Sequence, residues 1–204
     1  WEGHNLVSET FANFQKKFDK HDIGAMVGYS YEYYMSRSSG LTGKDFVNEA
    51  LGNENMGAGN PEKNEIWNGY SDNKLVSGMF RLNYVYDNKY LLTLTARADG
   101  SSNFADGNRW GYFPSAALAW RASEESFIKD LNIFSNLKPR VSFGITGNQD
   151  GIGTYPAYAL LGSNGYVAGG DKVTGYYPSQ VANTNLKWET TAQFDAGIDF
   201  GFFN

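Results

Sequence analysis

Cysteine is absent from this 204-residue chain, and histidine occurs only twice, at His4 and His21. Disulfides, iron–sulfur clusters and thiolate zinc sites are therefore excluded, and a transition-metal site would rest on carboxylates, for which no ligand spacing is present. Long hydrophobic runs are also missing: none approaches the roughly 18 residues that a spanning helix needs. There is no basic excess, with 17 Lys and Arg against 22 Asp and Glu and a net charge of −5. That argues against nucleic acid as a partner, since phosphate neutralisation needs a basic stripe. No G-x-S-x-G elbow, P-loop or G-x-G-x-x-G is found, so no cofactor is implied and the chain does not read as an enzyme. Asp99, Ser101, Asn103 and Asp106 gather oxygens in one loop, but their spacing is not that of an EF-hand.

What is abundant is glycine, at 24, and aromatic side chains, with 14 Tyr, 14 Phe and 5 Trp. Their dominant order is period-two alternation, the signature of strands. In "HDIGAMVGYSYEYYMS", Ile23, Ala25, Val27, Tyr29, Tyr31, Tyr33 and Met35 share one face. In "LVSGMFRLNYVY" and "YLLTLTARAD", Phe80, Leu82 and Tyr84, then Leu92, Leu94 and Ala96, do the same. Tyr112, Pro114, Ala116, Leu118 and Trp120 continue it, as do Leu137, Pro139, Val141, Phe143 and Ile145. The last segment sets Leu186, Trp188, Ala192, Phe194, Ala196, Ile198, Phe200 and Phe202 against Lys187, Glu189, Gln193, Asp195 and Asp199. With a weaker strand over residues 6 to 17, the pattern predicts seven strands. Short turns at Asp19-Lys20 and Asp87-Asn88-Lys89 alternate with longer, Gly- and Asn-rich connections. A small helix is expected over residues 43 to 51, and another after Ser123 as its cap.

The same alternation suits a soluble β-sandwich, whose apolar face is simply buried. Strand length points elsewhere. Soluble strands run to about 5–6 residues, while tilted membrane strands need about 9–11, and two of these segments alternate for longer. Tyr84, Tyr86, Tyr90, Trp120, Phe200 and Phe202 collect at the short-turn end, and Tyr31, Tyr33, Tyr112 and Trp188 toward the other, as two interfacial girdles would. The expected fold is all-β: antiparallel up-and-down strands forming part of a large transmembrane β-barrel. Arg81, Arg97, Arg140, Asp195 and Asp199 share the opposite phase and would face the lumen, lining a solute path or pairing with one another. Seven strands cannot close such a wall, because open edges leave unpaired N–H and C=O groups in hydrocarbon. Residues 1–204 therefore read as one arc of a barrel.

Several motifs in order carry a resemblance. Arg97, Asp99-Gly100-Ser101-Ser102, Phe113-Pro114-Ser115, Trp120-Arg121 and Thr146-Gly147-Asn148-Gln149 stand within "LTARADGSSNFADGNRWGYFPSAALAWRASEESF" and "LKPRVSFGITGNQ". With the closing "NLKWETTAQFDAGIDFGFFN", they resemble the later barrel of the SusC/RagA family of TonB-dependent outer-membrane transporters. The resemblance implies a wall of 22 strands around a plug and location in the outer membrane of a Gram-negative bacterium, in contact with its lipid. It further implies a SusD-like surface lipoprotein as lid, energy from TonB, and glycan or oligopeptide cargo. No plug domain or TonB box is recognised in these residues. Under this reading the chain makes and breaks no bonds. Trp67, Tyr70, Trp110, Tyr155 and Tyr158 are candidates for ligand or lid contact on outer loops, since aromatic faces beside Asn and Asp suit sugar rings. A secreted carbohydrate-binding β-sandwich using the same rings is the alternative, and a glycoside hydrolase would need a carboxylate pair that is not found. The polar loop after residue 98 is read as a staple that satisfies backbone groups where the ladder ends.

Overall fold

Adjacent residues of this chain face two different surroundings, and the cross-strand register makes that literal. The structure is a computed structural model that describes residues 1–48, 50, 52–153 and 155–202, without the side chain of Lys172. Its main sheet holds β1 (Glu2–Phe18), β2 (His21–Thr42), β3 (Glu65–Tyr86), β4 (Tyr90–Ser101), β5 (Trp110–Trp120), β6 (Phe134–Asn148) and β9 (Glu189–Phe202). Every neighbouring pair is antiparallel and the order along the sheet is the order along the chain. One row of partners reads Phe14, Ala25, Leu82, Leu94, Ala116, Phe143 and Phe194. The row beside it reads Gln15, Gly24, Asn83, Thr93, Ala117, Ser142 and Asp195. Because successive side chains point to opposite faces, one side of the sheet is apolar across all seven strands and the other is polar.

Neither face is covered by a second layer of the described chain. Phe14, Phe80, Leu94, Leu118, Val141, Phe143 and Phe194 remain exposed on the apolar side, and among the described residues the buried apolar ones are Phe104, Phe113, Ala122 and Ala157. A sandwich would bury that apolar face against a partner sheet. The remaining strands, β7 (Leu160–Ala168) and β8 (Asp171–Gln180), form a separate two-stranded hairpin within the last long connection. Period-two reasoning missed it, because its glycine-rich strands are exposed and show no contrast between faces.

At the short-turn end the turns are stitched together. Asp19, Asp87 and Asn88 adopt positive φ, as their place in tight turns requires. The Asp87 amide donates to the Lys20 carbonyl at 2.7 Å, and the Arg121 amide to that of Lys89 at 2.7 Å. Arg121 also donates to the Asn88 side chain at 2.6 Å. Aromatic rings line the apolar side of this end. Tyr86 stacks on Tyr90 with centroids 6.3 Å apart, and His21 lies 5.0 Å from Phe18 and 5.1 Å from Tyr86.

Three local expectations are corrected. Residues 43–48 are not helical, and Glu49 and Leu51 lie outside the described residues. The Asn60 amide donates to the Lys44 carbonyl, and Asn64 Oδ1 accepts from the Lys44 amide at 3.2 Å, which holds this stretch as an irregular clamp. Two short 3-10 turns, broken by the extended backbone of Asn55, follow within Gly52–Ala58. Ser123 caps no helix. It is buried within a 3-10 turn at Ala122–Glu124, and the one-turn helix α1 (Ser126–Lys129) has Glu125 at its N-cap without a side-chain cap bond. Trp188 does not join the outer girdle. It precedes β9 and packs on Phe104 and Phe113, with centroids 5.1 and 5.5 Å away, while its indole N–H donates to the Arg109 carbonyl.

Candidate functional site

The polar face carries all five charged residues singled out by their phase. Arg81 stands opposite Met26 and Thr95, Arg97 opposite Met79 and Phe113, and Arg140 opposite Ala119 and Gly197. Asp195 pairs in register with Ser142, and Asp199 with Lys138. Three of the five, Arg97, Arg140 and Asp199, are held by carboxylate–guanidinium contacts. Arg97 Nε donates to Asp99 Oδ2 at 2.7 Å and Nη2 to Ser77 Oγ at 3.0 Å. Arg140 Nε lies 3.5 Å from Asp199 Oδ1, and Lys138 Nζ 3.8 Å from its other oxygen. Gln193 donates to Asp195 at 3.2 Å. Arg81 and Asp195 have no ion pair among the described residues, so they are the charges left to meet whatever occupies the polar side.

The Arg97 site includes groups that alternation could not reveal. Ser30, Ser77, Asp99 and Ser101 are all buried, and Ser30, Ser77 and Asp99 follow one another in a single cross-strand row. Asp99 Oδ1 has no hydrogen-bond partner among the described residues. Asp99 could have been tied to Arg97 by its i, i+2 spacing on one strand face; Ser77 comes from the neighbouring strand and left no local signal.

The loop after β4 is stapled at both ends. The Ser102 amide donates to the Lys74 carbonyl at 2.9 Å, and the Lys74 amide donates back to Ser102 Oγ at 2.8 Å. Ser101 Oγ accepts from the Asn103 amide, and Arg109 Nε donates to the Phe104 carbonyl. Asn108 Nδ2 reaches the Thr184 carbonyl at 3.0 Å, tying this loop to the lead-in of β9. Pairing of β5 with β6 stops at Ser115 and Gly144. Beyond that row Phe113, Phe104 and Trp188 fill the seam.

The five outer aromatic candidates separate into three settings. Trp67 is in β3 on the polar phase and its indole lies over Gly40, where a β-carbon would collide with it. Tyr70 takes the apolar phase under the Arg37 guanidinium, 5.7 Å from the ring centroid. Trp110 also takes the apolar phase, at the start of β5, over Gly100. Tyr155 and Tyr158 stand at the base of the β7–β8 hairpin, with rings 6.3 Å apart. The Tyr155 hydroxyl donates to Asp72 Oδ1, which raises its pKa, and Gln180 donates to both Tyr155 and Tyr158 carbonyls. The hairpin base is thereby anchored to β3. No group of three or more His, Asp and Glu side chains among the described residues could hold a metal ion.

Comparison with known proteins supports the same architecture. Residues 3–204 match the family described as "TonB dependent receptor-like, beta-barrel". TonB-dependent receptor P3 of Formosa agariphila is 37% identical over 202 residues, which is 98% of this chain and 20% of that protein. TonB-dependent receptor SusC of Bacteroides thetaiotaomicron is 47% identical over 135 residues, 65% of this chain and 14% of that protein. The solved "Structure of the RagAB peptide transporter" superposes with a TM-score of 0.84 at 28% identity, covering 99% of this chain and 22% of that one. The chain thus spans about a fifth of the length of the curated receptors it matches along its whole length.

Proposed function

This chain belongs to the TonB-dependent receptor-like β-barrel family, and from that premise we propose that it forms one arc of the wall of an outer-membrane importer. The carrying observation is the pair of adjacent cross-strand rows, one wholly apolar from Phe14 to Phe194, the other polar from Gln15 to Asp195. An outward apolar row meets acyl chains, and an inward polar row meets water and solute. On this reading residues 1–204 contribute seven wall strands and no plug. The protein works in the outer membrane of a Gram-negative bacterium, driven by TonB and lidded by a SusD-like lipoprotein. Its cargo is glycan or oligopeptide, and passage makes and breaks no bond.

Arg81, Arg97, Arg140, Asp195 and Asp199 then line the inner wall. Arg97 and Arg140 are fixed by their carboxylate partners, while Arg81 and Asp195 meet solute. Trp67 adds an inward ring above them, and Tyr155 and Tyr158 set the base of an outer hairpin.

Topology and transport are tested together. In a cysteine-free background of the full-length protein, Val167→Cys in β7 is expected to react on intact cells with a membrane-impermeant maleimide. Lys20→Cys, at the short-turn end, is expected to react only after the outer membrane is permeabilised. Uptake of labelled oligosaccharide or oligopeptide should require TonB. Labelling of both positions on intact cells, or uptake indifferent to TonB, would sink the proposal.

A further inference from the structure

One edge of β3 is left without a neighbour over part of its length. β2 pairs with the whole of β3, from Glu65 to Tyr86, whereas β4 pairs with it only from Leu75 to Tyr86. β4 ends at Ser101, and the chain returns as β5 at Trp110. The vacancy is therefore made by this chain's own turn away from the sheet. The bonds at its lower end show which groups point into it. The Lys74 amide and carbonyl both bond Ser102, and the Asp72 amide donates to the Tyr155 hydroxyl at 3.2 Å. In an antiparallel ladder, successive residues turn their N–H and C=O to opposite edges. Ser71, Gly69 and Trp67 therefore serve β2, while Tyr70, Asn68 and Ile66 present theirs to the vacant side. No backbone partner meets these three residues there among the described residues.

We propose that this edge binds an extended oligopeptide, which joins the sheet as an added strand. Three N–H donors and three C=O acceptors recur there at the two-residue repeat of a strand, roughly 6.8 Å. Another peptide backbone matches that repeat; the hydroxyls of a glycan, set around rings, do not. Strand addition takes its affinity from such main-chain bonds and its selectivity from alternate side chains.

The edge lacks the devices that usually blunt one. Residues 66–72 contain no proline and no lysine, and they pair with β2 without a bulge. Guest residues opposite Ile66 and Tyr70 would meet apolar surface, since these side chains are 84% and 54% exposed. On the other face Trp67 leans over Gly40 of β2 and Gly69 has no side chain, so nothing there obstructs the guest. The Tyr155 hydroxyl closes the lower end, and an antiparallel guest would continue the line of β4. The inference rests on the importer reading: the edge stands at the long-loop end, where cargo arrives, and it selects the peptide class of that cargo.

The test uses the full-length protein in detergent and a fluorescein-labelled heptapeptide of alternating threonine and valine. Fluorescence anisotropy should show binding of this peptide and not of the same peptide N-methylated at every residue, which keeps side chains and carbonyls but loses its donors. Asn68→Pro removes one edge N–H while sparing the bonds to β2, and should weaken binding roughly tenfold. Asn68→Ala, which keeps that N–H, should bind like the parent. Amide exchange at Ile66, Asn68 and Tyr70 should be fast in the free protein and slow with the peptide. Heat-modifiable migration confirms that each variant is folded. Absence of binding, equal binding of both peptides, or equal weakening by Asn68→Pro and Asn68→Ala overturns the inference. So do edge amides already protected in the free protein, because another segment then holds the edge, or an Asn68→Pro variant whose only effect is loss of a protein lid. A protein that fractionates with the outer membrane and imports oligosaccharide through TonB, yet keeps these amides fast in the presence of peptide, would fail this inference alone.

Discussion

The ring of Phe113, in β5, fills the space that a side chain at position 147, in β6, would occupy. It does so where the two strands have stopped pairing, so the ring takes the place of ladder hydrogen bonds at the seam.

Gly147→Ala should therefore force the ring out of its seat and cost about 1–3 kcal/mol, as overpacking does elsewhere. Gly78 is the control. It lies on the apolar face, where an added methyl group would meet nothing within 4 Å, and Gly78→Ala should stay within about 0.5 kcal/mol. Urea unfolding of the full-length protein in lipid vesicles gives both values.

The assignment of faces predicts a sharp asymmetry between neighbours. Leu94 lies in the apolar row and Thr93 in the polar one. Leu94→Arg should destabilise the vesicle-inserted protein by about 2–4 kcal/mol, the penalty for an arginine at the bilayer midplane. Thr93→Arg should cost much less. Equal costs would contradict the inward and outward assignment.

Removing Arg97 should hurt more than removing both members of its ion pair. Asp99 is buried with one oxygen bonded to Arg97 and the other unpartnered among the described residues. Arg97→Ala strands that carboxylate and should cost about 1–3 kcal/mol. The double variant R97A/D99A should recover part of the loss, and a double-mutant cycle on the same unfolding assay reads the coupling.

The segment under the short-turn end should loosen in acid. Glu125 accepts from the Tyr90 hydroxyl at 2.7 Å and from Lys89 at 3.0 Å, and these bonds hold its carboxyl below the usual range. A depressed carboxylate stabilises the folded form above its unfolded pKa and loses that contribution as pH falls through the lowered folded value. Amide exchange over residues 122–131 should be unchanged between pH 7 and 5 and quicken below about pH 4, after correction for intrinsic rates. Glu125→Gln should show the faster exchange already at pH 7.

The seven wall strands were legible because each of their residues faces one of two opposed surroundings, which imprints a period of two. That imprint fades where both faces meet water. β2 and β3 run on to Thr42 and back to Glu65, well past the stretch whose alternation could be read, through "RSSGLT" and "EIWNGYSDN". The β7–β8 hairpin was hidden for the same reason. Trp188 departs from the girdle its phase predicts because Leu186 to Trp188 precede β9 and obey no alternation. Ser123 has the residue type of a cap, but Glu125 takes that position and commits its carboxylate to Tyr90 and Lys89. The inward charges were visible as a phase; their partners Ser77 and Lys138 required the register between strands.

The full-length pairing of β2 with β3, of which β4 joins only from Leu75 downward, separates two kinds of constraint along one ribbon. Below that level a residue is answerable to neighbours on both edges and to two solvents. Above it, a substitution in β3 troubles only a single partner strand. Evolution can therefore rewrite the tip for new encounters without breaching the seal at its root.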